Sequence, residues 1–291
     1  MKYAFIQVEK ANHPVGVLCR TMGVSRSGFY AWCTRKPCER AQKDAVLKVH
    51  IRAKHRASGG TRGSPGIHGD LHQDGHRVGR TRVARLMRED GLVGVPQKRF
   101  KVTTDSNHSG PVAPNLLQDR PAPSRPDEVW AADITYVRTW EGWLYVATVI
   151  DVHSRRVIGW SCATHMRAEL PLDALQMAIG QRRPPPGLIH HSDRGSQYAS
   201  RKYRKLLAKH GIVQSMSRRG NCYDNALAES FFGTLKTELV HRYAWPTRRR
   251  AAEAISKWIA TYYNSQRGHS ALGYRSPMAF EKGLAQQRSA A

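Results

Sequence analysis

Acidic residues are scarce in this chain. Among its 291 residues, 22 are Asp or Glu and 47 are Lys or Arg, which gives a formal net charge of +25 at pH 7. Bases exceed acids in both halves of the sequence, so a neutral protein with one basic tail is excluded. A surface this positive repels itself unless it binds a polyanion. Nucleic acid is therefore the favoured partner, and an anionic membrane surface is the alternative.

Long apolar segments are absent as well. No run of about eighteen apolar residues occurs, so no helix is expected to cross a bilayer. The apolar stretch after Met1 is too short for a signal peptide, and a cytoplasmic protein is expected. Without export, the five cysteines are expected to remain reduced. A composition of 40% hydrophobic and 24% charged residues fits a globular protein rather than a disordered or collagen-like one.

The N-terminal part of the chain has the pattern of two helices joined by a turn. Apolar residues recur at helical spacing from Val15 to Met22, and Gly23 permits a turn. Ser25 is suited to cap a second helix, which carries Tyr30. The pattern resembles a helix-turn-helix, whose second helix lies in the major groove, so Tyr30 is a candidate DNA contact. An ordinary helical hairpin is the alternative.

Four further segments are expected before residue 96: a basic helix over 40–57, a loop over 58–66, and helices over 67–73 and 81–89. The last helix would be capped by Thr81 and end before Gly91. Its Arg82, Arg85 and Arg88 recur every three residues along one face. This stripe predicts a helix that grips DNA phosphates, with a solvated surface as the alternative.

The C-terminal part reads as a mixed α/β sheet. Three strands form a meander, and helices and strands then alternate. The expected strands are 129–137, 143–152, 157–162, 188–191 and 212–216, with a turn at 151–155 and helices over 170–182, 201–210, 224–239 and 249–264. We therefore predict DNA-binding segments at 1–57 and 58–95, a linker at 96–126, a catalytic core at 127–285 and a tail at 286–291.

Three carboxylates of this core occur where chemistry would need them. Asp133 lies inside an apolar strand, where a carboxylate is costly unless it is paired or binds a metal. Asp193 follows a strand at its C-terminal end, where α/β sheets place their sites. Glu229 lies in a helix, and Lys236 follows on the same face. Taken singly, Asp193 could form a turn and Glu229 could be solvated.

As a set, these carboxylates predict a metal site. Hard oxygen ligands suit Mg²⁺ or Mn²⁺. Two such ions, roughly 3.5–4 Å apart, can clamp a phosphodiester during in-line displacement. Asp133, Asp193 and Glu229 would hold the ions, and Lys236 would hold a nearby DNA phosphate.

The spacing of these residues resembles a known catalytic pattern. Asp133, Asp193 and Glu229, with 35 residues between the last two, resemble the DDE triad of transposases and retroviral integrases. The surrounding motifs resemble those of the OrfB-type transposases of the insertion-sequence-three family. They are Val129–Tyr136, His190–Tyr198, Asn221–Ala226, Glu229–Lys236, Tyr263–Asn264 and His269–Tyr274.

The resemblance implies a ribonuclease-H-like core preceded by helical DNA-binding segments. It implies metal-dependent cleavage at element ends and strand transfer into target DNA, with two Mg²⁺ ions per site and Mn²⁺ as a substitute. It also implies a homo-oligomer on bacterial nucleoid DNA, and an upstream reading-frame product joined to this chain by frameshifting. The sequence departs from the family at Arg62–Gly66, where members usually carry an aromatic residue.

Several other residues have competing interpretations. Cys33, Cys38, His50 and His55 nearly match a zinc-finger spacing, but the two histidines fall within one expected helix, so no zinc is expected. Asp151 is interpreted as a turn residue, with a fourth metal ligand as the alternative.

Further candidates surround the second aspartate. Arg194, Tyr198 and Tyr223 could line the DNA, whereas His190 and His191 are expected to be structural. A DNA-binding regulator and a nuclease that cleaves without joining remain the alternative functions.

Overall fold

The computed structural model describes residues 1–96, 111–118, 120–218 and 226–290, with side chains as far as residue 287. Cys222, Tyr223 and Asp224 lie outside these ranges, as does part of the expected linker. Contacts divide the chain into two compact units, Met1–His50 and Ile51–Ala291. No helix in the described ranges has the length and apolar character needed to cross a bilayer.

The first unit is helical. It contains α1 (Lys2–Glu9), α2 (Val15–Thr21), α3 (Arg26–Thr34) and the start of α4 (Glu39–Ala57). The turn before α3 forms as predicted: Gly23 has φ of +62°, and the Ser25 hydroxyl accepts a hydrogen bond of 3.0 Å from Gly28 N. Ile6, Leu18, Cys19 and Phe29 form its buried core. The predicted pair of helices joined by a turn is therefore confirmed.

The second unit begins with the end of α4, followed by α5 (Ser64–Gln73) and α6 (Arg80–Glu89). The predicted end of the loop over 58–66 is wrong, because α5 already begins at Ser64. Pro65 occupies its first turn, where the fixed φ of proline suits a helix. The Thr81 cap is also wrong, because α6 starts one residue earlier and Gly79 is its N-cap.

These first helices pack on the C-terminal part of the same unit. The Arg62 guanidinium pairs with Asp70 (Nε to Oδ2, 3.0 Å) and donates 3.1 Å to the Gly268 carbonyl. Gly69 lies against the Tyr274 ring, leaving no room for a Cβ. The arginine of the atypical Arg62–Gly66 stretch is thus a buried structural residue.

The sheet has five strands in the order β3-β2-β1-β4-β5. They are β1 (Val129–Thr139), β2 (Gly142–Asp151), β3 (Val157–Ala163), β4 (Ile189–Ser192) and β5 (Val213–Met216). The first three pair antiparallel, while β4 runs parallel to β1 and β5 parallel to β4. This topology confirms the mixed α/β, ribonuclease-H-like core.

The remaining helices are α7 (Glu169–Arg182), α8 (Ser196–Ala199), α9 (Arg201–Lys209), α10 (Ala226–Glu238), α11 (Arg248–Trp258) and α12 (Pro277–Ala290). Short 3₁₀ turns occur at Val240–Arg242 and Ser270–Leu272. The helix expected over 249–264 is wrong in part, because the α-helix changes to a π-helical turn at Ile259–Tyr263. The expected tail also lies mostly within α12.

Strand alternation gives the sheet two buried faces. On one face, Trp130 and Ala132 of β1 pack in a cluster with α7 and α9. On the other face, Val137 of β1 packs in a cluster with α10 and α11. Because successive side chains of a strand point to opposite faces, Asp133 lies on the α10 side with Val137.

Candidate active site

Two strands bring the first two carboxylates together. In the parallel pairing of β1 with β4, Ala132 is in register with Ser192. Asp133 follows Ala132 in β1, and Asp193 follows Ser192 at the end of β4. Neighbouring strands lie about 4.8 Å apart. Asp133 Oδ1 accepts a hydrogen bond of 2.8 Å from Ile134 N. The sheet therefore places the two aspartates side by side, although 60 positions separate them.

Helix α10 brings Glu229 and Lys236 to the same face of the sheet. Glu229 lies in its first turn, and α10 packs on β1. The end of the helix is fixed by Glu238, whose carboxylate receives hydrogen bonds of 2.8–3.0 Å from the Arg267 guanidinium. The position of the third carboxylate thus depends on a buried ion pair near the other end of its helix.

The carboxylates act on one another electrostatically. Burial raises the pKa of the Asp133 carboxyl well above its usual range, and the negative charges of Asp193 and Glu229 raise it further. The hydrogen bond from Ile134 N and the charge of Lys236 oppose this change. Burial also raises the pKa of Glu229. Such a group is a site where a bound cation would be favourable.

The donor chemistry fits a hard divalent cation. Three carboxylates supply oxygen ligands, and Thr148 lies directly opposite Asp133 in the β1–β2 pairing. Its hydroxyl is buried and has no hydrogen-bond partner in the described parts of the chain. Within those same ranges, no three Asp, Glu, His or Cys side chains are close enough to share one ion. The carboxylates are therefore grouped without forming a closed ligand cage.

Lys236 faces this group. Its Nζ lies 5.3 Å from the centroid of the Tyr136 ring. Burial lowers the pKa of Lys236, while the charge of Asp133 raises it. The predicted phosphate contact is thus brought to the same place as the carboxylates.

Asp151, the alternative metal ligand, and the motif histidines His190 and His191 have structural roles. Asp151 is fully buried and accepts hydrogen bonds of 2.7 Å from the backbone N–H groups of Asp127 and Ser154. His190 Nε2 lies 2.9 Å from the Tyr203 hydroxyl, and His191 Nδ1 lies 2.9 Å from Ser215 Oγ. The turn role of Asp151 is confirmed.

Two more motif residues, Asn264 and Tyr198, lie in buried structural positions. The Asn264 amide exchanges two hydrogen bonds with the backbone of Val157, at 2.9 and 3.0 Å. Tyr198 is 1% exposed, so its prediction as a residue lining DNA is wrong. It packs edge-on against Tyr203, with ring centroids 5.3 Å apart. The ring therefore packs as a core residue, while its buried hydroxyl has no hydrogen-bond partner in the described parts of the chain.

The predicted DNA contacts do not all lie with the carboxylates. Arg194 is half-buried, and its Nε donates 2.7 Å to the Ser217 carbonyl. On α6, Arg85 pairs with Glu89, Arg82 is half-buried, and Arg88 is exposed. The arginine stripe therefore presents one fully exposed side chain.

The remaining predicted contact, Tyr30, belongs to α3 of the first unit and is 51% exposed.

The sequence alone missed Thr148, because only pairing of β1 with β2 identifies its neighbour. It also missed a set of exposed aromatic residues near Lys236. Their Trp-x-x-Trp spacing at a strand turn was the available signal.

Comparison with protein families matches most of the second unit. A profile described as Integrase core domain matches residues 123–222, and another with the same description matches residues 210–277. A profile described as HTH-like domain matches residues 41–100. These matches cover both the sheet and the helices before it.

Solved structures resemble the chain at low identity. The simian T-cell lymphotropic virus intasome, in complex with PP2A regulatory subunit B56 gamma, aligns at a TM-score of 0.45 and 15% identity, over 79% of this chain and 74% of that chain. The HTLV-2 integrase catalytic core domain, in complex with magnesium, aligns at a TM-score of 0.42 and 19% identity, over 54% of this chain and 97% of that chain.

Curated relatives are much closer. The "Insertion element IS600 uncharacterized 31 kDa protein" of Shigella sonnei is 46% identical, over 91% of this chain and 97% of the relative. "Transposase InsF for insertion sequence IS3A" of Escherichia coli (strain K12) is 40% identical, over 97% of this chain and 98% of the relative. The protein therefore belongs to the integrase-core transposases of the IS3 family, which are polynucleotidyl transferases.

Proposed function

We propose that this transposase uses Asp133, Asp193 and Glu229 as a catalytic triad that holds two divalent ions, with Mg²⁺ preferred and Mn²⁺ as a substitute. The observation that carries the proposal is the parallel pairing of β1 with β4, in which Ala132 is in register with Ser192, so that Asp133 and Asp193 follow at neighbouring positions. Bound cations would supply positive charge against the charge that develops on the phosphoryl oxygens.

Two successive phosphoryl transfers would take place at this site. Water attacks the phosphodiester at an element end and frees a 3′ hydroxyl. That hydroxyl would then attack a phosphodiester of target DNA in line, forming a new phosphodiester and releasing a 3′ hydroxyl of the target strand, with no covalent enzyme intermediate. The chain's own contribution is to position the reacting groups: the paired strands β1 and β4 would fix Asp133 and Asp193, α10 would fix Glu229, and Lys236 would bind a DNA phosphate.

We expect purified protein to cleave labelled element-end DNA and join the freed end to target DNA, provided that Mg²⁺ or Mn²⁺ is present. Gel analysis of both products checks this, with EDTA as the control that abolishes both. Cleavage without a joined product would support a nuclease. Binding without either product at any Mg²⁺ concentration would support a regulator and contradict the proposed reaction.

Replacing Lys236 with Gln is expected to weaken DNA binding several-fold and to reduce the slope of log affinity against log salt by about one. The reason is the loss of one phosphate contact with its released counterion. Lys257→Gln, which removes an exposed lysine of α11, is the matched control. Titrations at several salt concentrations measure the slope. An unchanged slope in Lys236→Gln would remove the phosphate contact from the proposal.

The wider setting of the reaction is also proposed. Two element ends must be brought together, so we infer a homo-oligomer on DNA and an upstream reading-frame product that assists end recognition, as a frameshift fusion. Arg194, Arg82, Arg85, Arg88 and Tyr30 remain predicted DNA contacts. A DNA substrate places the enzyme in the bacterial cytoplasm, on the nucleoid.

A further inference from the structure

A groove lined by aromatic and cationic side chains lies beside the candidate active site. The turn between β1 and β2 forms one wall, and the segment after α10 forms the other; the cavity between them is about 630 Å³. We call it the aromatic groove, and its residues that matter here are Tyr136, Arg138, Trp140, Trp143, Lys236 and Tyr243.

Its aromatic side chains are unusually exposed. Trp140 is 76% exposed, Tyr243 60%, Trp143 43% and Tyr136 38%. Large aromatic rings bury 150–250 Å² each when they enter a core, so leaving four of them open forgoes a large stabilisation. Clustered exposed apolar surface of this kind marks an interaction site.

Hydrogen bonds and ring packing around Trp245 connect the two walls of the groove. The Trp140 backbone N donates 3.0 Å to the Trp245 carbonyl, and the Trp245 indole donates 3.0 Å to the Val240 carbonyl. Tyr243 packs edge-on against Trp245, with centroids 5.9 Å apart. The Tyr243 ring is therefore held against a buried tryptophan, and the Trp140 backbone is tied to the same segment, which lowers the entropy cost of binding.

The charge of the groove is positive. The Arg138 guanidinium lies 5.9 Å from the centroid of Trp143, and Tyr136 packs edge-on against Trp143 at 5.0 Å. Lys236 lies over Tyr136 and faces Asp133. No Asp or Glu is among the described residues that line the groove. Aromatic faces interleaved with cations are the surface that binds single-stranded nucleic acid.

We propose that the aromatic groove binds unpaired nucleotides of the DNA strand next to the active site. Bases would stack on Trp140, Trp143 and Tyr243, while Arg138 and Lys236 would contact the phosphates. Duplex DNA hides its base faces in the stack, so the groove distinguishes a frayed or single-stranded flank from a paired one. This inference rests on the proposed function, since Lys236 joins the groove to the catalytic carboxylates.

The test measures binding without catalysis. Anisotropy titrations in EDTA compare a labelled oligothymidylate with a blunt duplex of equal length. Trp140→Ala combined with Tyr243→Ala is expected to weaken oligothymidylate binding by about 5- to 150-fold per lost stack, and duplex binding by less than about twofold. Trp140→Phe keeps a ring and should restore most of the affinity, whereas Trp140→Leu, apolar but without a π face, should not.

Three outcomes would overturn the inference: equal losses on both DNAs, no loss on oligothymidylate, or full affinity in Trp140→Leu. A change of oligomeric state in Trp140→Ala, with unchanged oligothymidylate binding, would show that a second copy of the chain occupies the groove. That result would also contradict nucleotide binding there. The proposed function is judged separately, by Mg²⁺-dependent cleavage in the unaltered protein.

Discussion

Asp133→Asn is expected to lower cleavage and strand transfer by roughly a thousandfold or more, while DNA binding persists. An amide oxygen is a weak ligand for Mg²⁺, so the charge stabilisation supplied by metal, several kcal/mol, is lost. Each ~1.4 kcal/mol corresponds to a tenfold change in rate. Single-turnover assays with saturating element-end DNA measure the loss, and we expect the same result for Asp193→Asn and Glu229→Gln.

The melting temperatures of these variants distinguish a loss of catalysis from a loss of folding. Because the pKa of Asp133 is raised in the folded state, folding binds extra protons, and the metal-free protein loses stability as pH rises through the window above about 4. Asp133→Asn removes that penalty, so its melting temperature in EDTA at neutral pH should equal or exceed that of the unaltered protein. Calorimetry in EDTA at several pH values checks this.

Asp173→Asn is the matched control for the triad, because Asp173 is exposed on α7 and lies outside the group. It should retain full activity. If any one triad variant kept the unaltered rate, its residue would not be a metal ligand. A triad variant that failed to fold would instead point to a structural role.

Gly159→Ala is expected to destabilise the second unit by about 3 kcal/mol, the upper end of the usual cost of overpacking. Gly159 lies in β3, where α7 crosses the sheet. A Cβ there would lie 2.9 Å from Ala178 N and closer still to the Ala174 carbonyl oxygen. Both neighbours belong to a helix backbone, which cannot move aside as a flexible side chain can. Thermal unfolding should show a fall of roughly 6–12 °C in the melting temperature.

Gly180→Ala, in the helix that packs against Gly159, provides the control. A Cβ at Gly180 meets nothing within 4 Å, and alanine is favoured over glycine inside a helix by about 0.5–1 kcal/mol. This variant should be slightly more stable than the unaltered protein. If Gly159→Ala melted at the same temperature as Gly180→Ala, the close packing of α7 on β3 would be disproved.

Much of the core could be predicted from local sequence. The strand around Asp133, the turn at Asp151 and the helix around Glu229 follow from hydrophobic periodicity and turn chemistry, both of which act over a few residues. The errors occur where an element boundary depends on one residue, as at Pro65. A proline suits both a loop and the first turn of a helix, and sequence alone does not separate the two.

The candidate site was only partly predictable. Motifs that resemble a known family pointed to Asp133, Asp193 and Glu229, and the pairing of β1 with β4 brings the first two to neighbouring positions. Nothing in the sequence pointed to Thr148, whose hydroxyl acquires meaning only opposite Asp133. The role predicted for Tyr198 was wrong, because the position of a tyrosine in a sequence motif does not reveal whether its ring is buried.

The sequence by itself determined the basic charge that favours a polyanion, the mixed sheet and the choice of the three carboxylates as candidates. Net charge, side-chain period and motif spacing are local or additive properties, which need no knowledge of the fold. The tertiary structure alone decided which distant residues meet. Parallel pairing sets Asp133 beside Asp193, an ion pair to Arg267 fixes the helix of Glu229, and two separate segments build the aromatic groove. Such contacts arise from register and packing between elements, and no short stretch of sequence encodes them.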